Sequence, residues 1–138
     1  GCSWWELKLD LLLPCSISGL IDAAMAEALR TEAVVPAANA PFQNPQLADE
    51  LRRRGIRVLP DPLVNAGAVI ADSIERFSPE AWNNAGAEDV YSFVRCEVRQ
   101  RAANYLSRRD QGLSVGAALV DVAESSSDPI GLSFGDAA

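Results

Sequence analysis

Three proline-containing segments of this 138-residue chain carry small and polar residues after the proline. Cys15 and Ser16 come directly after Pro14, Asn39 follows the run 36–38, and Asn65 lies in the segment that begins with Pro60 and Asp61. An asparagine amide both donates and accepts hydrogen bonds, which suits a carboxamide or a ribose hydroxyl group. Small neighbouring side chains would let a flat ring approach the backbone closely. The three segments therefore predict a binding site built from loops.

Three short apolar runs precede these segments and predict the strands that position them. The runs are 9–13, which is apolar except for Asp10, 32–35 and 56–59, and each is closed by a proline. Continuous apolar runs are typical of strands buried on both faces, as in a parallel sheet. Helix-length stretches separate the runs: 18–29 with Ser18 as N-cap, and 45–54 with Asn44 as cap and Gly55 as stop. Ligands bind at the carboxyl ends of the strands of such sheets, where the three segments lie.

The remainder of the chain has helical patterns. We expect helices over 66–76, from Ser78 onward, over 88–108 with an apolar stripe, and over 115–123 after Ser114. Residues 125–138 are rich in Ser, Gly and Asp and predict a flexible tail, while residues 1–8 are interpreted as an N-terminal extension. The body of the fold is thus expected at 9–124, with no internal repeat.

The same segments carry a resemblance to a known family. Pro14-Cys15-Ser16, Ala38-Asn39 and the stretch from Pro60-Asp61 to Asn65-Ala66-Gly67 stand in the order and at the spacing of motifs of the Glu/Leu/Phe/Val dehydrogenases. The combination is more specific than any single motif, and it is firm over residues 9–73. It implies an α/β fold, a partial Rossmann-like domain of about three parallel strands with flanking helices and a helical C-terminal part.

The resemblance also implies roles for individual residues. Asn39 and Asn65 would contact the nicotinamide half of NAD or NADP, with Cys15 and Ser16 beside them. Val69 and the residue one helical turn later, Asp72, would line the pocket for the side chain of an amino-acid substrate. The sequence departs from the family at Ala68, at Ser16 and at Asp72. A carboxylate at position 72 either favours a cationic substrate group or lies exposed to solvent.

Other groups needed for oxidative deamination are not recognisable in the sequence. The sequence has no G-x-G-x-x-G turn to bind the pyrophosphate. It therefore identifies no adenine site and does not distinguish NAD from NADP as the cofactor. Histidine is absent and Lys8 is the only lysine, so no general base and no catalytic residue are assigned. Asp61 is interpreted as structural, a cap for the following turn, and Cys15 as a buried small residue rather than a nucleophile.

Composition excludes several other classes of function. The net charge of −7 disfavours nucleic acid as a partner, and Arg52, Arg53, Arg54 and Arg57 cluster where a helix C-terminus is expected. Three widely spaced cysteines imply neither a disulfide framework nor a metal site, which fits a reducing, cytoplasmic location. No apolar run reaches the roughly 18 residues of a membrane span, and the N-terminus does not have the pattern of a signal peptide.

Three hypotheses remain open at this point. The first is that the chain is a fragment, the C-terminal nucleotide-binding part of an amino-acid dehydrogenase, which is not competent unless the rest of the enzyme is supplied. A homo-oligomer or a partner chain is possible. The second is a non-catalytic binding or interaction module derived from such an enzyme, whose exposed sheet edge would pair with another chain. The third is an unrelated α/β domain with chance motifs.

Overall fold

The computed structural model describes residues 3–125. The chain divides into two compact units, residues 1–65 and residues 66–138, and each is described by itself. The predicted tail lies outside the described residues apart from Ser125, which ends the last helix. No helix among residues 3–125 is long and apolar enough to span a membrane.

The first unit is built on three parallel strands in the order β1-β2-β3. They are β1 (Lys8–Leu12), β2 (Arg30–Val34) and β3 (Arg57–Val58), preceded by a 3-10 turn at Trp4–Glu6. The predicted strand positions are confirmed to within a few residues at each end. Backbone bonds extend the ladder into the loops, from Val35 N–H to the Leu12 carbonyl and from Leu59 N–H to the Val34 carbonyl. The carboxyl edge of the sheet is therefore fixed beyond the strands themselves.

Helix α1 (Ala23–Ala28) is much shorter than predicted. The prediction that it begins after Ser18 is wrong, because the cap is Asp22, whose carboxylate accepts the Met25 N–H at 2.8 Å. Ser18 instead donates its hydroxyl to the Asn39 carbonyl, and Gly19 turns the chain with φ +67°. A side chain that binds a distant loop cannot also cap a helix.

Helix α2 (Pro45–Arg53) agrees with its prediction. The Asn44 side chain accepts the Gln46 N–H at 3.0 Å, and Gly55 ends the turn with φ +85°. Two arginines at the end of α2 bind backbone: Arg52 donates to the Val58 carbonyl, and Arg54 donates to the Ala26 and Leu29 carbonyls. Arg52 and Arg54 thus fasten the end of α2 to β3 and to the end of α1.

The core of the first unit lies between the sheet and its two helices. Leu12, Val34 and Val58 of the strands pack with residues of α1 and α2, among which Leu51 is fully buried. The prediction that every strand is buried on both faces is wrong for β1 and its extension, where Leu11 and Leu13 are 48% and 53% exposed. Side chains alternate along a strand, so Leu11 and Leu13 point away from the face that carries Leu12.

The second unit is helical. It contains α4 (Gly67–Phe77), α5 (Pro79–Asn84), α6 (Ala87–Asp110) and α7 (Val115–Ser125), all close to the predicted positions. Helices α4 and α6 share a small core of Ile70, Ile74 and Val90. An ion pair between Arg108 and Asp121 joins α6 to α7.

A four-residue helix that was not predicted, α3 (Asp61–Val64), closes the first unit. The expected partial α/β fold with a helical C-terminal part is thus confirmed.

Candidate functional site

The loop after β1 is locked to the loop after β2. The carbonyl oxygen of Pro14, a buried residue, accepts the N–H groups of Ala37 and Ala38 at 2.9 and 2.8 Å. Cys15 and Ser16 follow and are exposed, so the prediction that Cys15 is a buried small residue is wrong. Its thiol donates to the Leu13 carbonyl at 3.2 Å, two residues earlier in the same loop. Both small side chains therefore border open space at the strand end.

The loop after β2 carries Asn39 and is held by its backbone on both sides. The Asn39 carbonyl accepts the Ser18 hydroxyl at 2.7 Å, and the next carbonyl, that of Ala40, accepts the Gly19 N–H at 2.8 Å. The Ala40 N–H donates to the carboxylate of Asp61 at 2.8 Å. Ala40 has φ +44°, a left-handed conformation that alanine rarely adopts. The peptide that follows Asn39 is thus fixed in a costly geometry by several bonds.

The loop after β3 carries Asn65 and begins with α3. The backbone carbonyl of Asp61 accepts the Asn65 N–H at 2.8 Å, while the same residue's carboxylate holds Ala40. Asp61 therefore bonds to both asparagine-bearing segments at once. Its predicted structural role remains, but the prediction that it caps the following turn is wrong, since its carboxylate binds the loop after β2.

The side chains of Asn39 and Asn65 are available for a ligand. Within residues 3–125 neither side-chain amide makes a hydrogen bond, whereas the amide of Asn44 is used to cap α2. Asn39 is exposed and Asn65 is half-buried. Their backbones are fixed while their amides remain free to donate and accept, an arrangement suited to holding a planar carboxamide or a sugar hydroxyl. The structure thus assembles Cys15, Ser16, Asn39 and Asn65 in one unit, on loops that leave the carboxyl edge of the sheet.

The two residues expected to line a substrate pocket lie in the second unit. Val69 and Asp72 are three residues apart on α4, on one helical face, as the spacing predicted. Val69 is 68% exposed, and Asp72 is exposed too, in agreement with the solvent-exposed alternative for that carboxylate. The Ser73 hydroxyl donates to the Val69 backbone carbonyl at 2.7 Å, a bond within α4.

Sequence reasoning missed two residues that support this site, Ser18 and Asp61. Ser18 was interpreted as a helix cap, although Asp22, another good capping residue, stands nearer to the apolar part of α1. The Pro-Asp-Pro sequence at 60–62 signals a helix start, since proline is favoured in a first turn. No group of three or more His, Cys, Asp or Glu that could hold a metal ion occurs within residues 3–125.

Parallel strands joined by helical crossovers, with polar loops at their carboxyl ends, define a partial Rossmann-like α/β region. Comparison of sequences then identifies its family. The chain belongs to the Glutamate/Leucine/Phenylalanine/Valine dehydrogenase family, whose sequence profile matches residues 1–126. This match rules out the hypothesis of an unrelated domain with chance motifs.

Individual relatives are similar to only part of this chain. The glutamate dehydrogenase of Thermotoga maritima is 44% identical over 70 residues, which are 51% of this chain and 17% of that protein. The phenylalanine dehydrogenase of Lysinibacillus sphaericus is 32% identical over 75 residues, 54% of this chain and 20% of that protein. The matched stretch therefore spans only a fifth or less of the length of these relatives.

Solved structures share the fold over most of the chain. The L-tryptophan dehydrogenase of Nostoc punctiforme superposes with a TM-score of 0.70 at 23% identity, covering 88% of this chain and 34% of that one. The hetero-hexameric glutamate dehydrogenase of Thermus thermophilus gives 0.72 at 23% identity, covering 88% and 29%. At this identity the likeness establishes the fold.

Proposed function

We propose that this chain forms the nicotinamide-facing part of the nucleotide-binding region of an NAD- or NADP-dependent amino-acid dehydrogenase. Family membership and the fold support the class of enzyme. The observation that carries the finer proposal is the pair of free amides, Asn39 and Asn65, on fixed loops at the carboxyl edge of the sheet. That edge is where open parallel sheets bind their ligands.

Each site residue has a distinct part in this proposal. The amides of Asn39 and Asn65 bind the carboxamide of the nicotinamide and a hydroxyl of its ribose. Cys15 and Ser16 are small and exposed, so a flat ring can pack against their backbone. When bound, the cofactor supplies the hydride acceptor for oxidative deamination of an L-amino acid to a 2-oxo acid. This chain's own residues bind and orient the ring.

The substrate side chain would contact α4 of the second unit. Val69 offers an exposed apolar surface and Asp72 an exposed carboxylate one helical turn away. We assign these two residues to recognition of the substrate side chain and none to proton transfer.

We further propose that the chain does not turn over an amino acid alone. The relatives named as dehydrogenases are several times longer than the stretch they share with it. The adenine half of the cofactor, and the groups that bind the substrate carboxylate and activate its amine, would come from other segments or from a partner chain. The Thermus thermophilus neighbour is named as a hetero-hexamer, which supports assembly with further subunits in this family.

The test is an NMR titration of the isotopically labelled chain with reduced nicotinamide mononucleotide. We expect the side-chain amide resonances of Asn39 and Asn65 to shift together, with a dissociation constant of about a millimolar or weaker for a partial site. Asn104 serves as the internal control, because it is exposed on α6 and its side-chain amide makes no hydrogen bond among residues 3–125. Asn39→Ala and Asn65→Ala should each weaken binding by about 2- to 10-fold, the scale of one hydrogen bond.

The proposal would be wrong if Asn104 shifts as much as the two site asparagines, or if neither of them responds. The second outcome would favour the alternative of an interaction module derived from a dehydrogenase. Circular dichroism of each variant shows whether a lost response comes from lost folding.

A further inference from the structure

Asp61 lies at the centre of the hydrogen bonds that hold the candidate site. Its carboxylate accepts the N–H of Ala40, the residue after Asn39, and its backbone carbonyl accepts the N–H of Asn65, both at 2.8 Å. The first bond spans 21 residues of sequence and joins the loop after β2 to the loop after β3. One half-buried residue thus connects the two segments whose amides are free.

The bond to Ala40 offsets a local cost. With φ +44°, Ala40 occupies the left-handed region, which is unfavourable for a residue that carries a Cβ. A bond between an N–H and a carboxylate is stronger than one between neutral groups, so it can hold a peptide in such a conformation. The Ala40 N–H belongs to the same peptide group as the Asn39 carbonyl, which accepts the Ser18 hydroxyl, so the two bonds together fix the backbone on the C-terminal side of Asn39.

From this geometry we infer that Asp61 is a positioning residue for the nicotinamide site, keeping Asn39 and Asn65 in their binding arrangement without touching the ligand. The inference rests on the proposed function. In this role Asp61 raises the fraction of molecules in which the amides of Asn39 and Asn65 are both placed for binding. Apparent affinity falls in proportion when that fraction falls.

A purely local role for Asp61 makes a different prediction. As the first residue of α3, its carboxylate also lies at a helix N-terminus, where negative charge is favourable. If that were its whole contribution, the identity of residue 40 would not matter. If Asp61 acts by holding Ala40 in the left-handed region, glycine at position 40 should reduce the need for it, because glycine adopts positive φ readily.

The experiment measures two quantities on the 138-residue chain: the exchange rate of the Ala40 amide proton, and the affinity for reduced nicotinamide mononucleotide. We expect Asp61→Ala to speed exchange and to weaken binding by about tenfold, the scale of one charge-assisted hydrogen bond. Asp61→Asn keeps an acceptor oxygen but loses the charge, so we expect it to speed exchange less than Asp61→Ala does and to weaken binding by about two- to threefold. Asp10→Asn, at an exposed position on β1, makes the same change of charge and should alter neither.

The double variant Ala40→Gly, Asp61→Ala distinguishes the two roles. We expect it to recover part of the affinity that Asp61→Ala loses, and Ala40→Gly alone to bind about as well as the parent chain. If the double variant binds no better than Asp61→Ala, the positioning role through Ala40 is overturned. If Asp61→Ala does not fold, the comparison of Asp61→Asn with Asp10→Asn decides, since only the former weakens a bond to Ala40.

Failure of this inference can be told from failure of the proposed function. Unchanged affinity in Asp61→Ala, with the parent chain still binding at Asn39 and Asn65, refutes the positioning role and leaves the proposed function standing. A parent chain that shows no response at either asparagine refutes the proposed function, and the positioning inference then fails with it.

Discussion

At the scale of single residues, the site depends on which polar groups the fold uses and which it leaves free. The side-chain amide of Asn44 caps α2, whereas the same group of Asn39 makes no hydrogen bond within residues 3–125. The sequence predicted the positions of the asparagines through a family resemblance. It did not predict the hydrogen bonds that hold their loops. The bond that Ser18 donates and the bond that the Asp61 carboxylate accepts each span 21 residues, so both depend on the folded arrangement of the loops.

Ser18→Ala tests the support on the other side of Asn39. The change removes the 2.7 Å bond from the Ser18 hydroxyl to the Asn39 carbonyl, so we expect the free energy of unfolding to fall by about 1 kcal/mol. Urea unfolding followed by circular dichroism measures the loss. Ser92→Ala, at an exposed position on α6, is the matched control and should change stability little. Equal effects of the two changes would contradict the role given to Ser18.

At the scale of elements, local signals predicted some helices well and others poorly. The start and end of α2 follow from Asn44, Pro45 and Gly55, which act through the backbone next to them. The start of α1 could not be chosen from sequence, since Ser18 and Asp22 are both suitable caps and a distant loop takes Ser18. The short α3 was missed because four residues carry no periodic pattern.

The start of α1 gives a prediction at this scale. Asp22→Ala removes the bond from the Met25 N–H, so it should lower the free energy of unfolding by about 1 kcal/mol, the usual cost of losing an N-cap. The loss should be accompanied by faster amide exchange in α1, which NMR can follow. Asp10→Ala, on β1, should leave exchange in α1 unchanged. A stable, fully protected α1 in Asp22→Ala would show that the helix is capped elsewhere.

At the scale of the whole molecule, an apolar run in the sequence predicted a strand but not what covers it. The first strand was expected to be buried on both faces, yet Leu11 and Leu13 are about half exposed. An apolar pattern shows that a strand is suited to burial, but it does not show which part of the protein covers it. The stretch that this chain shares with its curated relatives is only a fifth or less of their length. The fold class and the order of elements were predictable, because they depend on runs and breaks along the chain.

A site for only the nicotinamide half of the cofactor limits the affinity of the chain for NADH. A site that meets only the nicotinamide half of a dinucleotide gains no energy from the adenine half. We therefore expect NADH to bind about as weakly as the mononucleotide, in a fluorescence titration of the isolated chain. Micromolar affinity for NADH would contradict this, because it requires several kcal/mol more than a millimolar site provides.

The central claim is that Asn39 and Asn65 contact the nicotinamide ring and its ribose. Intermolecular nuclear Overhauser effects between the labelled chain and NADH test it most directly. We predict effects from the nicotinamide and adjoining ribose protons to the side-chain amides of both asparagines, and none to that of Asn104. Effects that come only from adenine protons, or that reach other surfaces and not these two amides, would contradict the account.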